Sequence, residues 1–430
     1  SFGQDWEAFL DETNATRQQQ GDWGQYMTGA VLRVHHEFPD QPLCGLNAVV
    51  GSDIPRGAAL SSSTALCLAA VDAMAACNGL ALDRAHRIRM ARGAEWYAGA
   101  RIGVSDQGAM VLGRRGAITH VALDPEHLDF SGITHLLFPE DLQVLVIQSY
   151  TERSLSGADK LAYVRNRFAY SMALHLLRQA ARAMNFPEKA IASMNRFADL
   201  TPGALGGPAR VYALLQRIPE TATYEALDRD WNVPGLAETY AEFFAHLDED
   251  ERPTHFSLRG PLLFGLAESE RARQFPPALK SGDFTLAGRL MSLGHDGDRR
   301  FDAKGRPFKT NHDDKALATL ENNNSPIELQ PGAYGASAPP LDALVDAALA
   351  GGALGASLTG AGIAGSVLAL CRGEDADQVT ESVTARLSAK VYPHLAKLES
   401  PLTAHQIAGA VIANEATAAA GELVFPEPPQ

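Results

Sequence analysis

Apolar residues recur at helical spacing through the first forty positions. Trp6, Phe9 and Leu10 mark one such face, and Trp23, Tyr26, Met27, Ala30 and Val31 mark the next. The apolar run from Leu46 to Ile54 reads as a buried strand, broken by Pro55, Arg56 and Gly57. A loop of small residues leads into Ala65 to Leu80, an Ala-rich buried helix with Ser61, Ser62 and Ser63 where N-capping hydroxyls belong. The pattern then predicts a helix over Asp83 to Tyr97 and a turn over Gly103 to Gly108. Two short strands follow, at 109–112 and 117–123, joined by Gly113-Arg114-Arg115-Gly116.

A further strand is expected at Gln143–Gln148. Val164, Phe168, Met172, Leu176 and Ala180 recur every fourth residue, which predicts an amphipathic helix from Leu161 to Met184. From Asn185 to Leu290 the chain reads as mainly helical, interrupted near Pro202, Pro234 and Pro253. Residues 301–333 are polar and weakly patterned, which reads as an insertion or mobile loop. Order returns with a helix from Leu341 to about Ala350 and strands at Ala353–Leu358 and Ser366–Cys371. A last helix face follows, carried by Val379, Val383, Leu387 and Val391. Helices and strands mix without regular alternation, so the expected class is α+β. The expected division is a lobe over 1–150 and a second over 151–430, the latter holding the 301–333 insertion.

Composition narrows the field. With 46% hydrophobic and 20% charged residues, 430 residues suit two domains or one two-lobed body. No apolar run is long enough for a membrane span. A net charge of −14 argues against a nucleic-acid partner, which requires a basic face. It does not argue against ATP, because backbone N–H groups, a helix N-terminus and a metal can hold phosphates. Cys44, Cys67, Cys77 and Cys371 form no Cys-x-x-Cys pair, so a disulfide framework or zinc site is not expected and a reducing cytoplasm fits. The chain opens Ser1-Phe2-Gly3 with neither Met nor a signal segment, so it is expected to begin inside a longer product or after processing.

The segment Pro55-Arg56-Gly57-Ala58-Ala59-Leu60-Ser61-Ser62-Ser63-Thr64 lies between the expected strand and helix. Gly57 permits a tight turn, and the Ser run opens a helix whose first N–H groups are free and whose dipole favours an anion. On spacing alone this is equally a Ser-rich helix cap. Glu95, followed by Gly103-Val104-Ser105-Asp106-Gln107, is the second candidate; taken singly, these are a solvated helix carboxylate and a turn Asp. The third is the small-residue run Gly355 to Gly365, which includes Gly360 and Gly362 and reads as a glycine hairpin between strands. His35 and His36, about 100° apart on a helix, do not make a chelating pair. No Walker A lysine motif, His-Glu-x-x-His or Gly-x-Ser-x-Gly elbow is present.

These three segments together resemble the galactokinase branch of the GHMP kinases. The first resembles the family's phosphate loop, Pro-x-x-x-Gly-Leu-Ser-Ser-Ser-Ala, with Ala59 in place of a Gly, and Gly45 to Asp53 resembles the strand that leads into it. The third resembles the C-terminal motif, with Ala364 in place of a Gly. Tyr334-Gly335-Ala336-Ser337 and Met291-Ser292-Leu293-Gly294-His295 are similar to galactokinase segments, His295 being expected as a hydrogen-bonded structural residue. The similarity runs from about Trp23 to Tyr150 and from about Leu258 to Cys371.

The resemblance implies a two-lobed fold with ATP in the cleft. Pro55, Gly57, Ala59, Leu60, Ser61, Ser62, Ser63, Thr64, Gly360 and Gly362 would bind the nucleotide. Ser63 and Glu95 would hold Mg²⁺, and Asp106 would accept the proton of the attacking hydroxyl. The implied reaction phosphorylates the anomeric hydroxyl of a monosaccharide or uronic acid. The alternatives are a non-catalytic sugar- and ATP-binding regulator on the same fold, and a kinase for a non-sugar alcohol such as an isoprenoid precursor or homoserine. Nothing in the chain matches the Gly-Glu-His-Thr-Asp segment that holds the sugar in galactokinases, so the residues alone do not identify the sugar.

Overall fold

A computed structural model describes residues 2–14, 22–54, 60–100, 103–123, 128–151, 158–302, 304–386 and 411–414. The chain divides into two compact units, Ser1–Phe138 with Ala416–Gln430, and Pro139–Glu415.

The first unit is mostly helical. It contains α1 (Phe2–Asn14), α2 (Gly24–Glu37), α3 (Ser62–Cys77), α4 (Arg84–Tyr97), α5 (Ser105–Leu112) and an antiparallel pair, β1 (Ala117–His120) with β2 (Thr134–Leu137). Helices α2, α3 and α4 bury Ala30, Val34, Cys67, Leu68, Val71, Met74, Met90, Ala91 and Ala94 against one another. Asp83 caps α4 by accepting from the His86 N–H at 2.8 Å. Helix α3 begins at Ser62, three residues before the expected start. Ser61 precedes it in the left-handed conformation and makes no side-chain cap hydrogen bond. The expected Ser cap is therefore not made by Ser61, whose side chain leaves the first N–H groups of α3 unmet.

Two expectations in this unit are corrected. Residues 46–54 form no strand; the segment is irregular and largely exposed, and Val49 has no burial at all. A strand needs a ladder partner, and none of the described strands pairs with it. Residues 109–112 are the end of α5 rather than a strand. A short apolar run fits either element, and burial of Gln107, Gly108 and Leu112 at helical spacing decides it. The following strand stops at His120 rather than 123.

The second unit joins a helical body to a four-stranded antiparallel sheet. Strand β3 (Leu142–Gln148) is followed by α6 (Ala158–Ser171), α7 (Ala173–Ala183), α8 (Glu188–Ala192), α9 (Pro202–Leu205) and α10 (Pro208–Gln216). Next come β4 (Thr221–Thr223), α11 (Tyr224–Arg229), α12 (Leu236–Phe244), β5 (His255–Ser257), α13 (Arg259–Lys280), α14 (Phe284–Asp298) and α15 (Asp314–Asn322). The chain continues through α16 (Pro339–Ala350), β6 (Gly355–Leu358), β7 (Ser366–Arg372), α17 (Ala376–Arg386) and β8 (Val411–Asn414). The sheet order is β6-β7-β3-β8, so β3 belongs to this unit's sheet. The mixture of helices with an antiparallel sheet is the α+β class.

The long helix expected over 161–184 is two helices that meet at Met172. The last helix runs from Ala376 to Arg386; Leu387 and Val391 lie outside the described residues. Residues 301–333 are not the loop their polarity suggested. Helix α15 packs on α10, burying Leu317, and the segment also buries His312 and Ile327. Buried Arg259 donates to the carbonyls of Ile218, Gln216 and His312 and to the Asp314 carboxylate. The polarity of this stretch is spent on such bonds and on the Asp313 cap of α15.

Glycine allows one close approach here. A Cβ at Gly288 would lie 2.1 Å from the Leu354 carbonyl oxygen, so α14 rests directly on the backbone entering β6.

Candidate functional site

In the first unit the mouth of α3, the last turn of α4 and the first turn of α5 converge on one carboxylate. Glu95, near the end of α4, is 1% exposed. The Ser63 hydroxyl donates to its Oε1 at 2.9 Å. Thr64, fully buried, donates to Oε1 at 2.9 Å and lies 3.0 Å from Oε2. Gln107 Nε2 donates to Oε2 at 2.6 Å. Burial pushes the Glu95 carboxyl above its ordinary range, the three donors oppose that shift, and the nearby Asp106 charge adds to it. Asp106 is half-buried in the first turn of α5, where the helix dipole favours a negative charge. On α2 the Tyr26 phenol is pushed up, first by burial and then by the charge of Glu95.

Ser63, Glu95 and Asp106, expected from the sequence to act together, thus lie around one point. Leu60, Ser61 and Ser62 stand at the entry to α3, with Ser62 exposed in its first turn. Pro55, Gly57 and Ala59 lie outside the described residues. Thr64 is fully buried, and its hydroxyl bonds Glu95. Gln107 was not singled out as a site residue; its signal was its place directly after Asp106.

Gly360 and Gly362 lie in the second unit, in the turn between β6 and β7, both with positive φ. A Cβ at Gly362 would meet the Ala336 carbonyl oxygen at 2.1 Å, and the Ile363 N–H donates to that oxygen at 2.6 Å. Beneath this turn lies a buried polar cluster. His295 is wholly buried, its Nδ1 facing the Leu358 N–H at 3.3 Å and its Nε2 facing Asp342 Oδ1 at 3.2 Å. Ser337 donates to the same Asp342 oxygen at 2.6 Å. The Ala336 N–H donates to Asp298 Oδ1 at 3.2 Å. The Leu358 N–H thus holds His295 at Nδ1, while the buried Nε2 has no hydrogen-bond partner among the described residues.

Residues 25–114, which contain the whole Glu95 cluster, match the GHMP kinases N terminal domain, and residues 308–389 match the GHMP kinases C terminal domain. The chain carries both GHMP kinase domains. The second match includes most of the stretch from 301 to 333, which is therefore part of the family's C-terminal domain from residue 308 onward.

The chain is 26% identical over 373 residues to a galactokinase of Thermococcus kodakarensis, covering 86% of the chain and 77% of the relative. It is 24% identical to a galactokinase of Mycobacterium bovis (84% and 73% covered) and 26% identical to one of Chloroflexus aggregans (87% and 73%). Its fold is similar to that of Lactococcus lactis galactokinase, solved in complex with galactose, with a TM-score of 0.51 and 17% identity over 86% of this chain and 73% of that one. Its domains and relatives make it an ATP-dependent phosphotransferase with an alcohol acceptor.

Proposed function

We propose that this kinase phosphorylates a free monosaccharide or uronic acid at its anomeric hydroxyl, with Asp106 as the base and Ser63 and Glu95 as ligands of Mg²⁺. The observation that carries this reading is the convergence of Ser63, Glu95 and Asp106 at the mouth of α3. Phosphoryl transfer needs charge neutralisation and an oriented nucleophile more than covalent help. The N-terminus of α3, with the hydroxyls of Ser61 and Ser62, suits the anionic phosphates of ATP.

The donor set fits the metal. Magnesium takes one or two protein oxygens and leaves the rest of its shell to water and phosphates. Ser63 Oγ and Glu95 Oε1 are 2.9 Å apart, close to the roughly 3 Å between adjacent corners of an octahedron with bonds of about 2.1 Å. When bound, the ion would neutralise charge on the transferring phosphoryl group. Asp106 is placed beside the cluster yet half-exposed, so a sugar hydroxyl can reach it. Gly360 and Gly362 would also bind the nucleotide, and the cytoplasm is the expected compartment.

Galactose is the first substrate to try, since the relatives are galactokinases. The test is ATP consumption with Mg²⁺ against a panel of free sugars and uronic acids, with the product read by ³¹P NMR. Sugar-dependent formation of a sugar 1-phosphate supports the reading. ATP binding without turnover on any sugar or sugar acid sinks it.

A further inference from the structure

We propose that Gln107 is a positioning residue that locks the turn carrying Asp106 to the carboxylate of Glu95. The inference rests on the roles given above to Asp106 and Glu95.

Gln107 is wholly buried, and its Nε2 donates to Glu95 Oε2 at 2.6 Å. It sits directly after Asp106 in the first turn of α5, so its hydrogen bond ties the turn that carries Asp106 to Glu95 on α4. Helix α5 is only two turns long, and Val104 before it supplies no side-chain cap. The hydrogen bond to Glu95 adds a directional tie to the apolar packing of Val104 and Leu112 on Ile88, which already seats α5 on α4.

The second observation concerns the other end of the same amide. Gln107 Oε1 is buried and has no hydrogen-bond partner among the described residues. A buried unsatisfied acceptor costs stability; an apolar side chain of similar size relieves that cost but leaves Glu95 Oε2 one donor short, so the two effects on folding oppose each other. What Gln107 supplies that Met cannot is the donor to Glu95. Thr64 and Ser63 reach the carboxylate from the α3 side, and Gln107 completes the clamp from the α5 side. The base and the carboxylate are thus held as one unit, and reaction rates fall steeply when reacting groups are misplaced by even an ångström.

The test is Gln107→Met beside Asp106→Ala, each assayed for turnover at saturating Mg²⁺·ATP and sugar, for both KM values, and for melting temperature without ligands. The expected result is that Gln107→Met still melts cooperatively near the wild-type temperature and keeps both KM values within about twofold. Its kcat falls at least tenfold. A Gln107→Met enzyme with wild-type kcat, beside an inactive Asp106→Ala, overturns the positioning role and leaves the proposed base standing. A loss of kcat that comes only with a collapsed melting temperature also overturns it, since Gln107 is then structural. If Asp106→Ala itself turns over normally, the underlying reading fails with it.

Discussion

The most quantitative consequence of the structure concerns Asp298, the last residue of α14, whose carboxyl burial pushes up to about 8. A hydrogen bond from the Ala336 N–H and the charge of Arg271 oppose that rise, while Glu268 and Asp342 add to it. The folded state therefore binds this proton more tightly than the unfolded chain, in which the group titrates near 3.8. Stability falls as pH climbs between those two values and is level below and above them. Each pH unit inside the window costs about 1.4 kcal/mol. Asp298→Asn removes the titration while keeping an oxygen for the Ala336 N–H. Between pH 5 and pH 7 the variant should thus gain about 3 kcal/mol on wild type. Urea unfolding of both proteins at pH 5, 6, 7 and 8, followed by far-ultraviolet circular dichroism, measures the gap directly. A gap that stays constant over this range refutes the buried neutral acid. A gap that moves in favour of wild type as pH rises means that the native state prefers the ionised carboxylate.

Other substitutions test the remaining contacts. Thr64→Val removes hydroxyl contacts at 2.9 and 3.0 Å from Glu95 that hold its carboxyl down, so the acid limb of the kcat/KM profile should move to higher pH. An unmoved limb would separate Glu95 from the activity. Gly288→Ala forces a Cβ to 2.1 Å from the Leu354 carbonyl oxygen and should cost about 3 kcal/mol in urea unfolding, where a loss under about 0.5 kcal/mol would show that α14 moves aside freely. Arg259→Met leaves the carbonyls of Ile218, Gln216 and His312 without their donor and should cost about 3 kcal/mol or more. It should also speed amide exchange in α15, and unchanged exchange there would show that the arginine does not anchor this segment.

Elements with a clean period were legible in the sequence, and elements defined by a distant partner were not. Helix α4 matched its expected bounds because Asp83 is a local cap and the buried positions Ile88, Ala91 and Glu95 follow one face. The run 46–54 looked like a buried strand from composition, yet composition does not say whether a ladder partner exists. The stretch 301–333 looked solvated because its polar groups are satisfied by Arg259 and Asp313, contacts that local pattern cannot reveal. Ser63, Glu95 and Asp106 were visible through their resemblance to a kinase family, whereas the buried bonds of Thr64 and Gln107 to Glu95 appeared only once α3, α4 and α5 were packed together. The unusual conformation of Ser61 was likewise invisible, since a serine at a helix mouth ordinarily signals a side-chain cap.

The central claim is that Asp106 takes the proton of a sugar hydroxyl at the Ser63–Glu95 cluster. The direct measurement is sugar-dependent ADP release from Mg²⁺·ATP by wild type and Asp106→Ala, together with nucleotide affinity in the absence of sugar. The account predicts that the variant binds nucleotide as wild type does while its kcat falls by about a hundredfold or more. Turnover within a few-fold of wild type in the variant would contradict it.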